Sequence, residues 1–303
     1  MAHRSHILFP FLVIACFFVV AASILNIVHV LNKLGVESIF EEINLGTDAK
    51  IFISLYLTLV SISFSLLVFG LFYRWKGETR NVGLLAAFGS IFQVGSLVSA
   101  NILSFDLSIV GILFTGFGII FSLIVSILSL SIPSPRIPKE PLMSPFEIAI
   151  SSIFSALTAV IIIITGSLVP SPTGGYTHIG DMIIFLAALL FGRKIGGITG
   201  IIGSIVADFW LAYPRWYVSI PAHGLQGIIA GFGKNKSTTI QVILCGFAGF
   251  VMASTYFYVN IFIKGYPLAI ISYARDLFGQ AGISMILAIT ISKSVQKVRL
   301  VRQ

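Results

Sequence analysis

The stretch Leu107-Ser-Ile-Val-Gly-Ile-Leu-Phe-Thr-Gly-Phe-Gly-Ile-Ile-Phe-Ser-Leu-Ile-Val-Ser-Ile-Leu-Ser-Leu-Ser-Ile132 decides the class of this protein. It carries no charged side chain over twenty-six residues, and about 20 consecutive apolar residues suffice for a helix to cross the hydrocarbon core of a bilayer. Only helices and closed barrels satisfy their backbone polar groups in lipid. The apolar run is continuous and does not alternate over about ten residues, which excludes a barrel strand.

Working outward, comparable runs lie at 7–31, 51–73 and 82–100 before it, and at 147–168, 179–192, 195–212, 217–233, 238–262 and 268–292 after it. The fold class read from this is all-α: a polytopic helical membrane protein of about ten transmembrane helices, four plus six. Composition agrees, with 57% hydrophobic and 10% charged residues in a chain of 303, where ordinary soluble domains carry about 25% charged residues. The run at 179–192 is short for a crossing and predicts a helix that is tilted, broken or partly buried in protein. The first run follows Arg4 but exceeds the roughly 7 to 15 apolar residues of a signal-peptide core, so it is expected to remain as a span.

From Ile132 to Pro145 the chain holds five prolines in fourteen residues, which cannot continue a helix and favour an extended spacer. The expected organisation is a four-helix membrane domain over 1–132, a cytoplasmic linker over 133–145 and a six-helix domain over 146–303.

Charge gives the orientation. With a cytoplasmic amino terminus, fourteen Lys and Arg fall in inside segments and only Lys33, Lys50, Arg215 and Lys264 outside, with Arg275 left in a span. That asymmetry is the positive-inside pattern, so both termini are expected in the cytoplasm of a multi-pass cell-membrane protein. The net charge of +8 is thereby topological, and no nucleic-acid partner is expected. Cys16 and Cys245 stand alone in apolar runs. No paired-cysteine or His/Cys spacing supports a disulfide framework or a zinc site, and neither metal nor cofactor is expected.

Polar and ionisable side chains within spans are costly and mark binding sites or pathways. The second half holds Asp181, Asp208, His223, Gln226, Arg275, Asp276 and Gln280, with Tyr256, Tyr258, Asn260 and Tyr273 close by. On the topology above they all fall in the outer half of the membrane. A proton or ion path needs polar groups through the whole thickness, whereas a cup open to the outside needs them only at its mouth. The aromatic residues Tyr176, Trp210, Tyr213, Trp216, Tyr217, Tyr256 and Tyr273 offer faces for a flat heterocycle or form an interfacial belt. The outer loop Val169–His178, with Thr173, Gly174, Gly175, Tyr176 and His178, carries turn chemistry that suits a lid over the cup or an ordinary tight connection. Arg275 and Asp276, adjacent on a helix, do not face each other, so each is expected to pair elsewhere, Arg275 with Asp208 or Asp181. Small residues stripe two helices, Gly196, Gly200, Gly203 and Ala207 on one and Ser151, Ser155 and Ala159 on the other. Such faces allow close packing, internal or against a partner.

The runs Pro172-Thr-Gly-Gly-Tyr-Thr-His-Ile-Gly-Asp181, Phe185-Leu-Ala-Ala-Leu-Leu-Phe-Gly192, Gly196-Gly-Ile-Thr-Gly200, Gly203-Ser204, Ala207-Asp208 and His223-Gly-Leu-Gln-Gly227 together resemble the substrate-specific S components of energy-coupling factor (ECF) transporters over about 145–295. The resemblance implies a six-helix subunit that binds a vitamin or vitamin precursor outside and hands it to a T component and ATPase subunits. Thiamine precursors, riboflavin and pantothenate are the solutes of the branch resembled. It also implies that the face carrying Ser151, Ser155 and Ala159 docks on the T component, although serines stand here where alanines are commoner. No phosphate-binding loop occurs in the chain, which fits a subunit energised by others. Two other readings compete. An intramembrane enzyme would use His223 with Asp208 or Asp276 as acid and base, but no nucleophile motif accompanies them, so no catalytic residue is expected. A non-catalytic interaction protein would leave the outer polar cluster without a role.

Overall fold

The computed structural model describes residues 8–39, 44–75, 79–132, 143–169, 171 and 173–301. Residues 133–142, most of the expected linker, and Pro172 lie outside them. Among the described residues the secondary structure is helical, with no extended strand pairing into a sheet.

Two compact units divide the chain, one of 1–38 and 45–139, the other of 39–44 and 140–303. The first is built from α1 (Leu8–Lys33), α2 (Thr47–Trp75), α3 (Thr79–Ile102) and α4 (Ile109–Ser131). Consecutive helices pack side by side and α4 returns against α1, closing a four-helix arrangement. Its centre is a polar seam. Asn26 Nδ2 donates to Tyr56 Oη at 2.7 Å, and Gln93 Nε2 donates to Ser63 Oγ and Ser122 Oγ at 3.1 and 3.2 Å. Asn26 therefore serves packing: Gly111 faces it so closely that an added Cβ would stand 2.0 Å from Asn26 Oδ1.

The second unit holds α5 (Pro145–Leu168), α6 (Asp181–Phe191), α7 (Arg193–Trp210), α8 (Trp216–Gly231), α9 (Thr238–Ala274), a π-helical segment (Arg275–Gly282) and α10 (Ile283–Val301). α5 starts on a capping box in which Ser144 and Glu147 bind each other's backbone N–H groups, satisfying donors that the first helical turn leaves free. The short helix α6 is explained by its position. It packs against α5, α7, α8, α10 and the π-helical segment, so its apolar residues Ile184, Phe185, Ala187 and Ala188 are buried in protein. It ends at Gly192, whose φ of 98° reverses the chain directly into α7.

α7 and α8 touch backbone to backbone. A Cβ on Gly200 would lie 2.1 Å from His223 O, and one on Gly227 would lie 2.1 Å from Gly196 O. A Cβ on Gly203 would meet Thr158 of α5 at 2.6 Å. The glycine stripe of α7 is thus spent on internal packing. On α5, Ser151, Ser155 and Ala159 are buried, with α7 packed beside them, and Ser151 and Ser155 line a cleft with Ile198 and Ile202 of α7. The flank of α5 that is exposed carries Ile153, Leu157, Val160 and Ile164.

Such aliphatic flanks recur on helix after helix, as at Phe17, Ile91, Ile127 and Ile243. Water-soluble chains rarely expose contiguous apolar surface on this scale, and lipid is the solvent that fits it. Six stretches of the described residues are long and apolar enough to cross a membrane, the last being Thr238–Lys297. At 60 residues that stretch would span roughly three bilayer cores if straight. It is instead broken at Gly265 (φ 79°, ψ 164°), which divides it into two passes.

Candidate functional site

At one end of the second unit the described residues of the 169–180 loop, 169, 171 and 173–180, fold over a cup. Gly174 and Gly175, both at φ 86°, make the tight turn that needs residues without a Cβ. The turn is closed by Ser171 N–H to Gly175 O and Gly174 N–H to Ser171 O, each 3.0 Å. Thr173 pins it to α9: its Oγ1 lies 2.7 Å from Ser272 Oγ, and its carbonyl accepts from Lys264 Nζ at 3.1 Å. Lys264 Nζ also donates to Ser272 Oγ at 2.8 Å. The break at Gly265 is what turns this lysine inward, where it is 8% exposed.

Beneath the loop three polar clusters converge. In the first, Asp208 at the end of α7 accepts from Tyr176 Oη and, at 2.5 Å, from Ser219 Oγ, which lies 2.7 Å from Tyr256 Oη. In the second, the buried carboxylate of Asp181 opens α6. Its Oδ2 accepts from Gln226 Nε2 at 3.0 Å and Gln280 Nε2 at 3.2 Å, and its Oδ1 faces His223 Nδ1 at 3.3 Å and His178 Nδ1 at 3.9 Å. In the third, Arg275 binds Asp276 Oδ1 through Nε at 3.0 Å and Nη2 at 2.7 Å. Burying charged groups is tolerable only where they are paired and hydrogen-bonded; Asp208 and Asp276 have such partners, while at Asp181 only Oδ2 accepts hydrogen bonds. In the loop, burial pushes the His178 imidazole down to about 4, against the pull of Asp181. Burial and the neighbouring Asp208 raise the Tyr176 hydroxyl above its ordinary range, so it donates its proton.

The pairing of Arg275 with Asp276 corrects the sequence-based expectation that they pair elsewhere. They sit in a π-helical segment, whose wider turn brings consecutive side chains closer in direction, and the guanidinium folds round to grip one oxygen from two nitrogens.

Gly174, Gly175, Tyr176, His178, Asp208, His223, Tyr256, Asn260, Arg275 and Asp276 line the cup. Thr173 ties down its rim, while Asp181 and Gln226 stand behind His223. Tyr213, Arg215, Lys264 and Gln280 complete the lining. Arg215 and Lys264 are the additions sequence reasoning missed, having been counted with the outer loops. The signal for Lys264 is its setting: a lone cation after Ile261-Phe-Ile and before Gly265. Of the aromatic set, Tyr176, Tyr213 and Tyr256 reach the cup. Trp210 is exposed, Trp216 lies on Phe209, and Tyr273 packs on Phe250 and Phe257.

The cup is lined from two loops, α7, α8, α9 and the π-helical segment, with mixed donors, acceptors and aromatic faces of the kind a small-solute site uses. The sequence model of the family described as ECF-type riboflavin transporter, S component, matches residues 143–297. This chain belongs to that family. As an S component it is a membrane protein of a transporter family and not of an enzyme family. The matched residues hold α5 to α10 and the whole cup; α1 to α4 precede them. The S component is also 34% identical over 113 residues to an uncharacterized protein in a gap 3' region of Pyrococcus woesei, covering 36% of this chain and 76% of that protein.

Proposed function

We propose that this S component captures riboflavin at the outer face of the cell membrane and delivers it to a separate T component and ATPase subunits that power uptake. The observation that carries the reading is the cup itself, with three tyrosines beside acidic, basic and amide groups in a unit of the riboflavin S-component family. Tyr176, Tyr213 and Tyr256 suit a flat ring system. Asp208, Asn260, Arg275 and Gln280 suit its carbonyl, imide and hydroxyl groups. The cup has a free volume of only about 40 Å³, well below the roughly 300 Å³ at which small-molecule pockets begin. The 169–180 loop therefore lifts to admit the solute and closes over it. The excess of basic residues in the opposite connections supports placing the cup outside.

A thermal-shift series on the purified full chain tests this against riboflavin, thiamine precursors and pantothenate. Riboflavin at a hundredfold excess over Kd is expected to stabilise the protein by about 2.7 kcal/mol, with the other vitamins far weaker. A panel in which no vitamin raises the melting temperature would contradict the reading.

A further inference from the structure

Asp181 Oδ1 is the unusual atom of the cup floor. Asp181 is 0% exposed, and while Oδ2 takes two amide hydrogens, Oδ1 accepts no hydrogen bond. An uncompensated carboxylate oxygen in that position is costly. Two imidazole nitrogens stand over it, and a further acceptor stands against one of them. His223 Nδ1 lies 3.3 Å away, His178 Nδ1 lies 3.9 Å away, and Gln226 Oε1 lies 2.9 Å from His223 Nδ1. His178 Nδ1 receives the Gly180 N–H at 3.3 Å, so it carries a lone pair and no proton for Asp181, and ligation would exchange that long contact for the ion. At most one proton, that of His223, is left to serve two oxygens. Acceptors that outnumber the protons available to them suit a cation site.

We propose that His178, Asp181 and His223 bind a divalent transition-metal ion, with zinc the best match, whose open coordination position faces the cup. Two imidazoles and one carboxylate are a donor set that zinc favours in sites with a free fourth position. Ligand atoms around tetrahedral zinc stand roughly 3.3 Å apart, and these three ligand atoms all lie within 4.8 Å of one another, so the set has to contract but not to rearrange. Gln226 and Gln280 hold the second carboxylate oxygen and orient Asp181, as the outer partners of metal ligands do. Both imidazoles line the cup, which puts a bound ion within reach of a solute oxygen or nitrogen. No sequence spacing announces the site, because it joins a loop, the start of α6 and the middle of α8.

The test uses the full chain in detergent, stripped by chelator, reloaded with zinc in solute-free buffer and measured for metal content. One zinc per chain is expected, and Co²⁺ in its place should give the visible bands of a four-coordinate nitrogen and oxygen site. Asp181→Asn keeps the shape and the amide contacts, and should weaken zinc at least about ten- to a hundredfold. His29→Ala, in the other unit, should retain it. Wild-type protein that holds no zinc above background, or Asp181→Asn that binds it as tightly as wild type, overturns the proposal. Should the variant fail to fold, the wild-type Co²⁺ spectrum decides, since only a pale six-coordinate spectrum would then count against the site. Vitamins are absent from the assay, so its failure leaves the solute reading intact, and zinc retained without riboflavin binding would fail that reading alone.

Discussion

Asp208 and Arg275 show how single residues divide the labour of the cup. Asp208 joins the lid to the wall, because Tyr176 comes from the 169–180 loop and Ser219 from α8. A hydrogen bond to a charged group contributes about 1.5–3 kcal/mol, so Tyr176→Phe is expected to speed riboflavin release roughly ten- to a hundredfold, read by stopped-flow dissociation. Unchanged release would mean that the loop is held shut by Thr173 and Lys264 alone. Arg275 has a structural duty as well. Arg275→Ala leaves the buried Asp276 carboxylate unpaired and should lower the melting temperature of the solute-free protein, while adding Asp276→Asn should recover most of the loss, since removing one partner of a buried pair costs more than removing both charges. If the double variant melts no higher than the single one, the pair is not what holds that segment. These duties were only partly legible in the sequence. Asp181, Asp208, His223 and Gln226 announced themselves as polar residues in apolar runs, but their partners did not, because Gln226 and Gln280 meet at Asp181 only through the packing of α8 and the π-helical segment around α6. Arg275 and Asp276 were assigned away from each other because adjacent residues diverge on an α-helix, and nothing in their local sequence marks the π-helical turn.

At the scale of elements, the spans were legible because polar punctuation interrupts apolar runs. The apolar runs at 238–262 and 268–292 already left the Gly265 break between them. Its consequence was not legible: the backbone there adopts a conformation that is open almost only to glycine, costing other residues about 1–3 kcal/mol, and it swings Lys264 onto Thr173 and Ser272. Gly265→Ala is expected to lower riboflavin affinity by freeing the loop anchor, with circular dichroism showing helix content near wild type. Affinity unchanged in that variant would separate Lys264 from the cup. The small-residue stripes could be read as internal or docking faces from sequence alone, and the structure shows the glycines of α7 packed against α8 and α5. Gly200→Ala would press a Cβ against the His223 carbonyl. Because neither backbone can yield there, a loss of at least about 1–3 kcal/mol is expected. Gly116→Ala, where a Cβ meets nothing within 4 Å, should melt near wild type. Equal melting of the two variants would show that α7 and α8 do not touch as described.

For the whole molecule, the account rests on an S component that presents its cup outward and draws energy from other subunits. The charge asymmetry supports the proposal that both termini and the 133–145 linker lie in the cytoplasm. A cysteine introduced in that linker should therefore resist an impermeant thiol reagent in intact cells, whereas one in the 168–178 loop should react. Equal labelling would reverse or abolish the topology. The four helices before the linker lie outside the family match, and their polar seam of Asn26, Tyr56, Ser63, Gln93 and Ser122 serves packing. Capture is thus assigned to α5 to α10 within the intact chain. The most direct test of that assignment is a flavin-fluorescence titration of the purified full-length protein in buffer without ATP. Saturable quenching at one riboflavin per chain, lost in Tyr256→Ala, is the expected result; fluorescence that does not change as protein is added would contradict the account.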